Sequence, residues 1–407
     1  MARQVRAGSV RIQARGNAVA LSGGEAVAYA MRQIDPDVVA VYPITPQTVI
    51  VEAFSESVAE GKVGTEMIHV ESEHAALSAC IGAAAAGARA HTATSGPGLA
   101  LMWEVLGVAS GMRLPIVMHL CTRALSAPIN IMCDHSDAMA MRDLGWVMLF
   151  GENPQEAYDQ ALIVQRVAEH RDVLLPSVNV IDGFTVTHSV EGVEVLPDEV
   201  VASFVGTYSP LYSLLDPQRR VTFGALDPNE YYYEHKRQQI EAMKNALPVV
   251  AATLQEFGEL TGRHYNLVEE YRTEDAEVVL VVMGSTAGTV RIAVDNLRED
   301  GVRAGVVRVR CFRPFPAEEV AQALRRAKLV GVLDRSLSLG APGSSLYLEV
   351  MAALSQRMLS PYLVNVVHGL GGRNTPVRII KEAFSQLRLM GLEEQRREPI
   401  LYLGVRE

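Results

Sequence analysis

Residues 37–46 read Asp-Val-Val-Ala-Val-Tyr-Pro-Ile-Thr-Pro, a short apolar run halted by two prolines. The run is too short for a helix and rich in β-branched valine, so it predicts a buried strand. Pro43 and Pro46 lack the amide needed to extend a ladder, and the strand must end in a constrained loop. The same grammar repeats on both sides. Upstream, Ser22 can cap a helix whose apolar residues recur at helical spacing. Downstream, Met67 to Val70 reads as strand, Glu73 to Ala86 as an alanine-rich helix and Ala88 to Thr94 as strand. Ser95-Gly96-Pro97-Gly98 precedes a helix expected near Leu99, and Leu114 to Leu120 and the stretch from Leu174 read as further strands. Strands alternating with helices predict βαβ units and a doubly wound parallel sheet, an α/β fold.

At 407 residues the chain should hold two or three units. Residues 1–18 are expected to be an N-terminal extension, 19–205 the first α/β domain and 206–270 a connecting segment rich in proline and aromatics. Residues 271–407 should form a second α/β domain, which continues through a loop at Phe312-Arg313-Pro314-Phe315-Pro316 and the strand Leu329 to Asp334. With 49% hydrophobic and 21% charged residues the composition is that of an ordinary globular protein. A net charge of -10 gives no basic surface for a phosphate backbone, so nucleic acid is not an expected partner. No apolar run approaches the roughly 20 residues that span a bilayer. The basic N-terminus lacks an apolar segment followed by a cleavage site, so a soluble, cytoplasmic protein is expected. Cys80, Cys121, Cys133 and Cys311 show no iron-sulfur spacing. They read as buried thiols.

Five stretches could carry chemistry. Thr45 sits between two prolines at a strand's carboxyl end, where open α/β sheets place their ligands. Glu73, at the start of the alanine-rich helix, is either an acid-base catalyst facing a cleft or a carboxylate placed to suit the helix dipole. Ser95 to Gly98 offers either amides to an anion or a tight turn. Arg123 follows a strand, and its planar fork suits a substrate carboxylate. Asp134, His135 and Asp137 are either metal ligands or a hydrogen-bonded turn, and the turn is the expectation.

Taken together, Tyr42-Pro43-Ile44-Thr45-Pro46, the stretch from Glu71 to Arg89, Thr122 to Ile131, Asp134 to Trp146 and Asp227 to Gln239 resemble the alpha-subunit portion of pyruvate:ferredoxin oxidoreductases, in the same order. These belong to the 2-oxoacid:ferredoxin oxidoreductase family. The resemblance implies a thiamine diphosphate-binding domain of the pyrimidine type followed by a transketolase-C-like domain. It implies oxidation of a 2-oxoacid with transfer of the acyl group to coenzyme A and of electrons through [4Fe-4S] clusters to ferredoxin. By the same likeness Glu73 would contact the aminopyrimidine, Tyr42, Pro43 and Ile44 would line the cofactor, and Thr45 and Arg123 would bind the substrate carboxylate. No Gly-Asp-Gly with a distant Asn is found, and Ile181-Asp182-Gly183 is the nearest text. Mg²⁺ and the diphosphate would then lie on a beta-type partner chain, and the clusters on partner chains that include gamma- and delta-type subunits. Pyruvate is the expected substrate. Ser95 to Gly98 is nearer the loop of relatives using other 2-oxoacids, so a branched-chain, aryl or 2-oxoglutarate substrate is the alternative. A thiamine enzyme independent of ferredoxin is a second one.

Overall fold

The computed structural model describes residues 16–392 and 400–406; the expected extension falls largely at 1–15, outside the described residues. In chain order the first half contains β1 (Asn17–Ser22), α1 (Gly23–Ile34), β2 (Val38–Val41), α2 (Thr48–Ala59), β3 (Glu66–His69), α3 (Glu73–Ala85), β4 (Ala90–Thr94), α4 (Gly96–Leu101) and α5 (Trp103–Gly111). It continues with β5 (Val117–Thr122), α6 (Ser136–Met141), β6 (Val147–Phe150), α7 (Pro154–Ala168), β7 (Ser177–Asp182), β8 (Val190–Val195) and α8 (Asp198–Val205). After the long α9 (Asn229–Thr261) come β9 (Val268–Tyr271), β10 (Val278–Val282), α10 (Thr286–Glu299), β11 (Ala304–Val309), β12 (Cys311–Arg313) and α11 (Ala317–Leu324). The chain closes with β13 (Leu329–Asp334), α12 (Ser345–Gln356), β14 (Tyr362–Val367), α13 (Val377–Leu392) and β15 (Ile400–Tyr402).

These strands form a seven-stranded sheet, order β12-β6-β7-β5-β4-β2-β3, a six-stranded sheet, order β15-β14-β13-β10-β11-β9, and a small antiparallel pair of β1 with β8. The first is parallel except at β12, the second parallel except at β9. Helices cover both faces of the first sheet. Val27, Met31, Ile50 and Phe54 of α1 and α2 pack with Val39, Val41, Cys121 and Ile181. Leu77, Cys80 and Leu106 of α3 and α5 cluster with Met118 and Leu120. Each fully buried side chain of this size contributes roughly 1.5–3 kcal/mol relative to exposure. The expected fold class is therefore the observed one, an α/β chain with two parallel-rich sheets.

The helix starts follow from local capping. Ser22 and Glu25 close a reciprocal capping box on α1, and the Asn153 side chain accepts from Glu156 N ahead of Pro154 in α7. Two expectations need correction. The helix after Ser95 starts at Gly96 rather than Leu99, because Gly96 adopts φ +42 and turns the chain at once. Phe312 and Arg313 of the expected loop belong, with Cys311 before them, to a strand whose three residues before Pro314 are too few to show a period. This strand pairs antiparallel with β6 and so completes the first sheet from the second half of the sequence. The connecting segment is irregular only to residue 228; α9 then runs 33 residues and buries side chains from Ala242 onward.

A buried ion cluster ties the two sheets together. Glu156, in the first turn of α7, accepts from Arg308 Nη2 at 2.5 Å and Arg310 Nη2 at 2.9 Å, while Arg308 Nη1 also reaches Glu269 at 3.0 Å. Burial would raise the Glu156 pKa, but the two guanidiniums outweigh it and hold the carboxyl well below the usual carboxylate range. Glu156→Ala should destabilise the chain by about 3–5 kcal/mol, since both buried arginines lose their shared anion. The shift is downward, so this stability is complete at neutral pH and is lost as pH falls below the ordinary carboxylate range. Urea unfolding of both proteins at several pH values measures the loss; equal stability at pH 7 would refute it.

Candidate active site at the strand ends

In the first sheet the connection from β2 leads to β3 on one side, and that from β4 to β5 on the other. The crevice beyond the carboxyl ends of β2 and β4 is thus the switch point, where such sheets take ligands. Four candidate stretches reach it, because each directly follows a strand: Tyr42 to Pro46 after β2, Glu71 to Glu73 after β3, Ser95 to Gly98 after β4 and Arg123 after β5.

Ser72 caps α3 by accepting from Ala75 N at 3.2 Å, which fixes Glu73 as the first helical residue. The Glu73 side chain is 6% exposed and lies against Gly98. A Cβ on Gly98 would stand 2.6 Å from Glu73 Oε1 and 2.7 Å from Thr94 Oγ1, so only glycine fits there. At the other end of the same turn, the stem of Arg123 packs on Gly96, where a Cβ would meet three of its carbons at 3.1–3.2 Å. Arg123 Nη1 donates to Thr45 O at 3.0 Å and its Nε to Asn130 O at 3.2 Å. Glu73 and Arg123 therefore abut opposite ends of one glycine turn, and Thr45 is joined to them through Arg123. Tyr42, Pro43 and Thr45 are exposed and Ile44 is half-buried.

Sequence reasoning missed three supports of this arrangement. Gln47 is buried and staples the proline loop to β4, donating to Ala93 O at 2.9 Å while its Oε1 accepts from Ile44 N at 3.2 Å. Its position just after the two prolines was the available signal. Asp137 accepts from Gly96 N and Arg123 N, both at 2.9 Å, and from Ala138 N at 2.7 Å. Burial pushes its pKa up to about 8 despite these three amides. The acceptor met by the Gly96 amide is thus the protein's own Asp137 carboxyl group. Thr94 Oγ1 and Ser95 Oγ, beside Glu73 and Gly98, are buried hydroxyls with no protein partner. Buried polar groups normally have partners, so these two suit a bound polar ligand.

The Asp134, His135 and Asp137 stretch is the hydrogen-bonded turn. Asp134 Oδ1 accepts from Ser136 N at 3.0 Å, and Asp134 Oδ2 from Gly371 N at 3.1 Å. The Nε2 atom of His135 lies 2.8 Å from Asp182 Oδ1, so the three side chains face different partners. Asp182 itself also accepts from Ser285 and Arg335. Those contacts occupy both of its carboxylate oxygens.

The sequence profile described as pyruvate flavodoxin/ferredoxin oxidoreductase, thiamine diphosphate-binding, matches residues 29–273, and that for core domain II of pyruvate:ferredoxin oxidoreductase matches 276–380. This chain belongs to the pyruvate:ferredoxin oxidoreductase family. The pyruvate synthase subunit PorA of Thermotoga maritima is 54% identical over 391 residues, 96% of this chain and 98% of that one. A ketoisovalerate oxidoreductase subunit VorA of Pyrococcus horikoshii is 42% identical over 362 residues, 89% of this chain and 91% of its own. The 2-oxoglutarate:ferredoxin oxidoreductase of Magnetococcus marinus shares the fold at TM-score 0.72 and 18% identity; the match covers 91% of this chain and 65% of that longer one. The switch point of this thiamine diphosphate-binding domain thus carries the Glu73 carboxyl, two unpartnered hydroxyls and the Tyr42-Pro43-Ile44 rim.

Asp137→Ala should cost at least about 2 kcal/mol, because the buried Gly96 and Arg123 amides lose their acceptor. Asp137→Asn keeps an oxygen for both and should cost less. Urea denaturation of the two variants measures the difference, and equal losses would contradict the geometry.

Proposed function

We propose that this chain is the alpha-type subunit of a cytoplasmic pyruvate:ferredoxin oxidoreductase, which converts pyruvate, coenzyme A and oxidised ferredoxin to acetyl-CoA, carbon dioxide and reduced ferredoxin. The observation that carries the residue roles is the meeting of Glu73 and Arg123 on one turn at the switch point, with Thr45 attached. The higher identity to a pyruvate synthase subunit than to a ketoisovalerate oxidoreductase subunit favours pyruvate over a branched-chain substrate. Residues 19–205 then act as the pyrimidine-binding domain, 206–270 as a connection and 271–407 as the transketolase-C-like domain.

Thiamine diphosphate, when bound, supplies the carbon nucleophile and the electron sink for decarboxylation. Glu73, itself buried, holds and returns a proton at the aminopyrimidine ring nitrogen. Tyr42, Pro43 and Ile44 give the cofactor an apolar wall. Arg123 presents its fork, already aimed by Thr45 O and Asn130 O, to the substrate carboxylate, with the Thr45 hydroxyl beside it. A beta-type partner chain provides the diphosphate and Mg²⁺ half, and gamma- and delta-type chains carry [4Fe-4S] clusters toward ferredoxin. The four cysteines support placing the clusters elsewhere. All are buried free thiols, and burial pushes the Cys80 thiol up to about 12 and raises the other three as well.

In the enzyme purified with its partner chains, Glu73→Gln should lower turnover by roughly 10²- to 10⁴-fold, the range of a positioned acid-base group. Exchange of the C2 proton of bound thiamine, followed by NMR after acid quench, should slow in parallel. Normal exchange would remove Glu73 from this role. Arg123→Met should lower kcat/KM for pyruvate about tenfold to a hundredfold while cofactor binding is kept. Loss of thiamine diphosphate with unchanged pyruvate affinity would place Arg123 at the cofactor instead.

A further inference from the structure

Arg123 is aimed by a loop that the second sheet's half of the chain holds in place. The loop from Ala124 to Cys133 closes through Ala124 N to Met132 O at 3.0 Å. Its further anchors lie some 200 or more residues away. Gly372 N donates to Cys133 O at 2.7 Å, and His135 N donates to Arg335 O at 2.8 Å. Asn130 Nδ2 donates to Gly371 O at 3.1 Å, and Gly371 N donates to Asp134 Oδ2 at 3.1 Å.

Residues 369–372 form a turn made for this contact. Gly369, Gly371 and Gly372 have φ of +65, +57 and +78. A Cβ on Gly371 would stand 2.4 Å from Asn130 Nδ2, and one on Gly372 2.4 Å from Met132 Cβ. Both the backbone conformation and the close approach exclude a side chain here. Arg335 steadies the turn from behind, donating from Nε to Gly369 O at 3.3 Å and from Nη1 to Asp182 Oδ2 at 2.8 Å.

Asn130 links this turn to the candidate substrate site. Its Nδ2 is held by Gly371, its Oδ1 accepts from Met132 N at 2.7 Å, and its carbonyl accepts from Arg123 Nε at 3.2 Å. The contacts run unbroken from Gly371 through Asn130 and Arg123 to Thr45 O. Among the described residues the Asn130 side chain bonds Gly371 and Met132 and makes no hydrogen bond to Glu73 or Thr45, so Asn130 acts through Arg123. Resting on the assignment of Arg123 to the substrate carboxylate, we propose that Asn130, seated in the Gly369 to Gly372 turn, is a positioning residue that fixes the Arg123 fork for the 2-oxoacid.

A double-mutant cycle on the purified holoenzyme tests this, with turnover of pyruvate followed by reduction of a low-potential viologen dye. Asn130→Ala keeps the carbonyl that Arg123 meets but loses the two side-chain bonds that seat it; it should raise KM for pyruvate roughly tenfold, with kcat reduced no more than about twofold. Thiamine diphosphate binding, measured by calorimetry, should be unchanged. Gly371→Ala, which displaces the Asn130 amide, should reproduce the KM effect. In an Arg123→Met background Asn130→Ala should have no further effect on KM, because the two residues act as one unit. An unchanged KM in Asn130→Ala overturns the proposal. So does a full additional KM increase on top of Arg123→Met, or a loss of kcat matched by a fall in the unfolding midpoint. If Arg123→Met alone leaves the pyruvate KM unaltered, the assignment of Arg123 fails, and the inference falls with it for that separate reason.

Discussion

Asp182 stands at the carboxyl end of β7 and is fully buried between the two sheets. Its Oδ1 pairs with His135 Nε2 at 2.8 Å; its Oδ2 accepts from Ser285 N at 3.1 Å, Ser285 Oγ at 2.5 Å and Arg335 Nη1 at 2.8 Å. Burial would raise its pKa, but His135 and Arg335 outweigh that and hold the carboxyl well below its ordinary range. Ser285 begins α10, just after β10, and Arg335 follows β13. In the second sheet β10 leads to β11 on one side and β13 to β14 on the other, so their carboxyl ends bound that sheet's own switch point. The crevice in which an open sheet of this kind would take an anion is filled by a carboxylate from the first sheet. Gly284 permits the approach, since a Cβ there would lie 2.8 Å from Asp182 Oδ1.

That contact fixes where the remaining loops can go. With the carboxyl end of β7 pinned against β10 and β13, the neighbouring β5 end and the loop after Arg123 are brought beside Arg335 and residues 369–372. The Glu156, Arg308 and Arg310 cluster and the crossing of β12 into the first sheet hold the same pair of sheets at other points. The first sheet's crevice stays open at its rim, with Tyr42, Pro43 and Thr45 exposed on one side and Ile129, Ile131 and Met132 exposed on the other. Apolar side chains gathered around a polar cleft are the usual mark of a surface that another molecule covers. Such a rim agrees with a cofactor site completed by a second chain.

The fold class was legible because its signals are local. Val38 to Val41 is a buried strand by composition, Ser22 and Glu25 form their capping box within four residues, and the strand-helix alternation needs no tertiary knowledge. The gathering of Thr45, Glu73 and Arg123 at one edge was legible for a similar reason, since each follows a strand and a parallel sheet brings such positions together. The hub role of Asp137 was not legible. Nothing in Asp-His-Ser-Asp says that the last carboxylate turns back to the amides of Gly96 and Arg123, a pairing made only by the packing of α6 against α4. The strand at Cys311 was hidden because three residues carry no period. The second half read as a separate unit, although Gly371, Arg335 and Cys311 all reach into the first.

This division bears on substrate choice. Relatives named for pyruvate and for ketoisovalerate both align with this chain over most of its length, at 54% and 42% identity. A substrate carboxylate is common to both acids, so a residue that binds it cannot separate them; the shape of the loop following it can. That loop spans only ten residues from Ala124 to Cys133, yet its seat is built from Arg335 and from glycines whose backbone no other residue readily adopts. A one-ångström shift of such a seat changes the position of the loop without altering a residue in it, and displacements of that size are enough to alter catalysis by orders of magnitude. On the proposed assignment of Arg123 to the substrate carboxylate, selectivity depends on how the two sheets are joined as well as on the side chains that line the cleft.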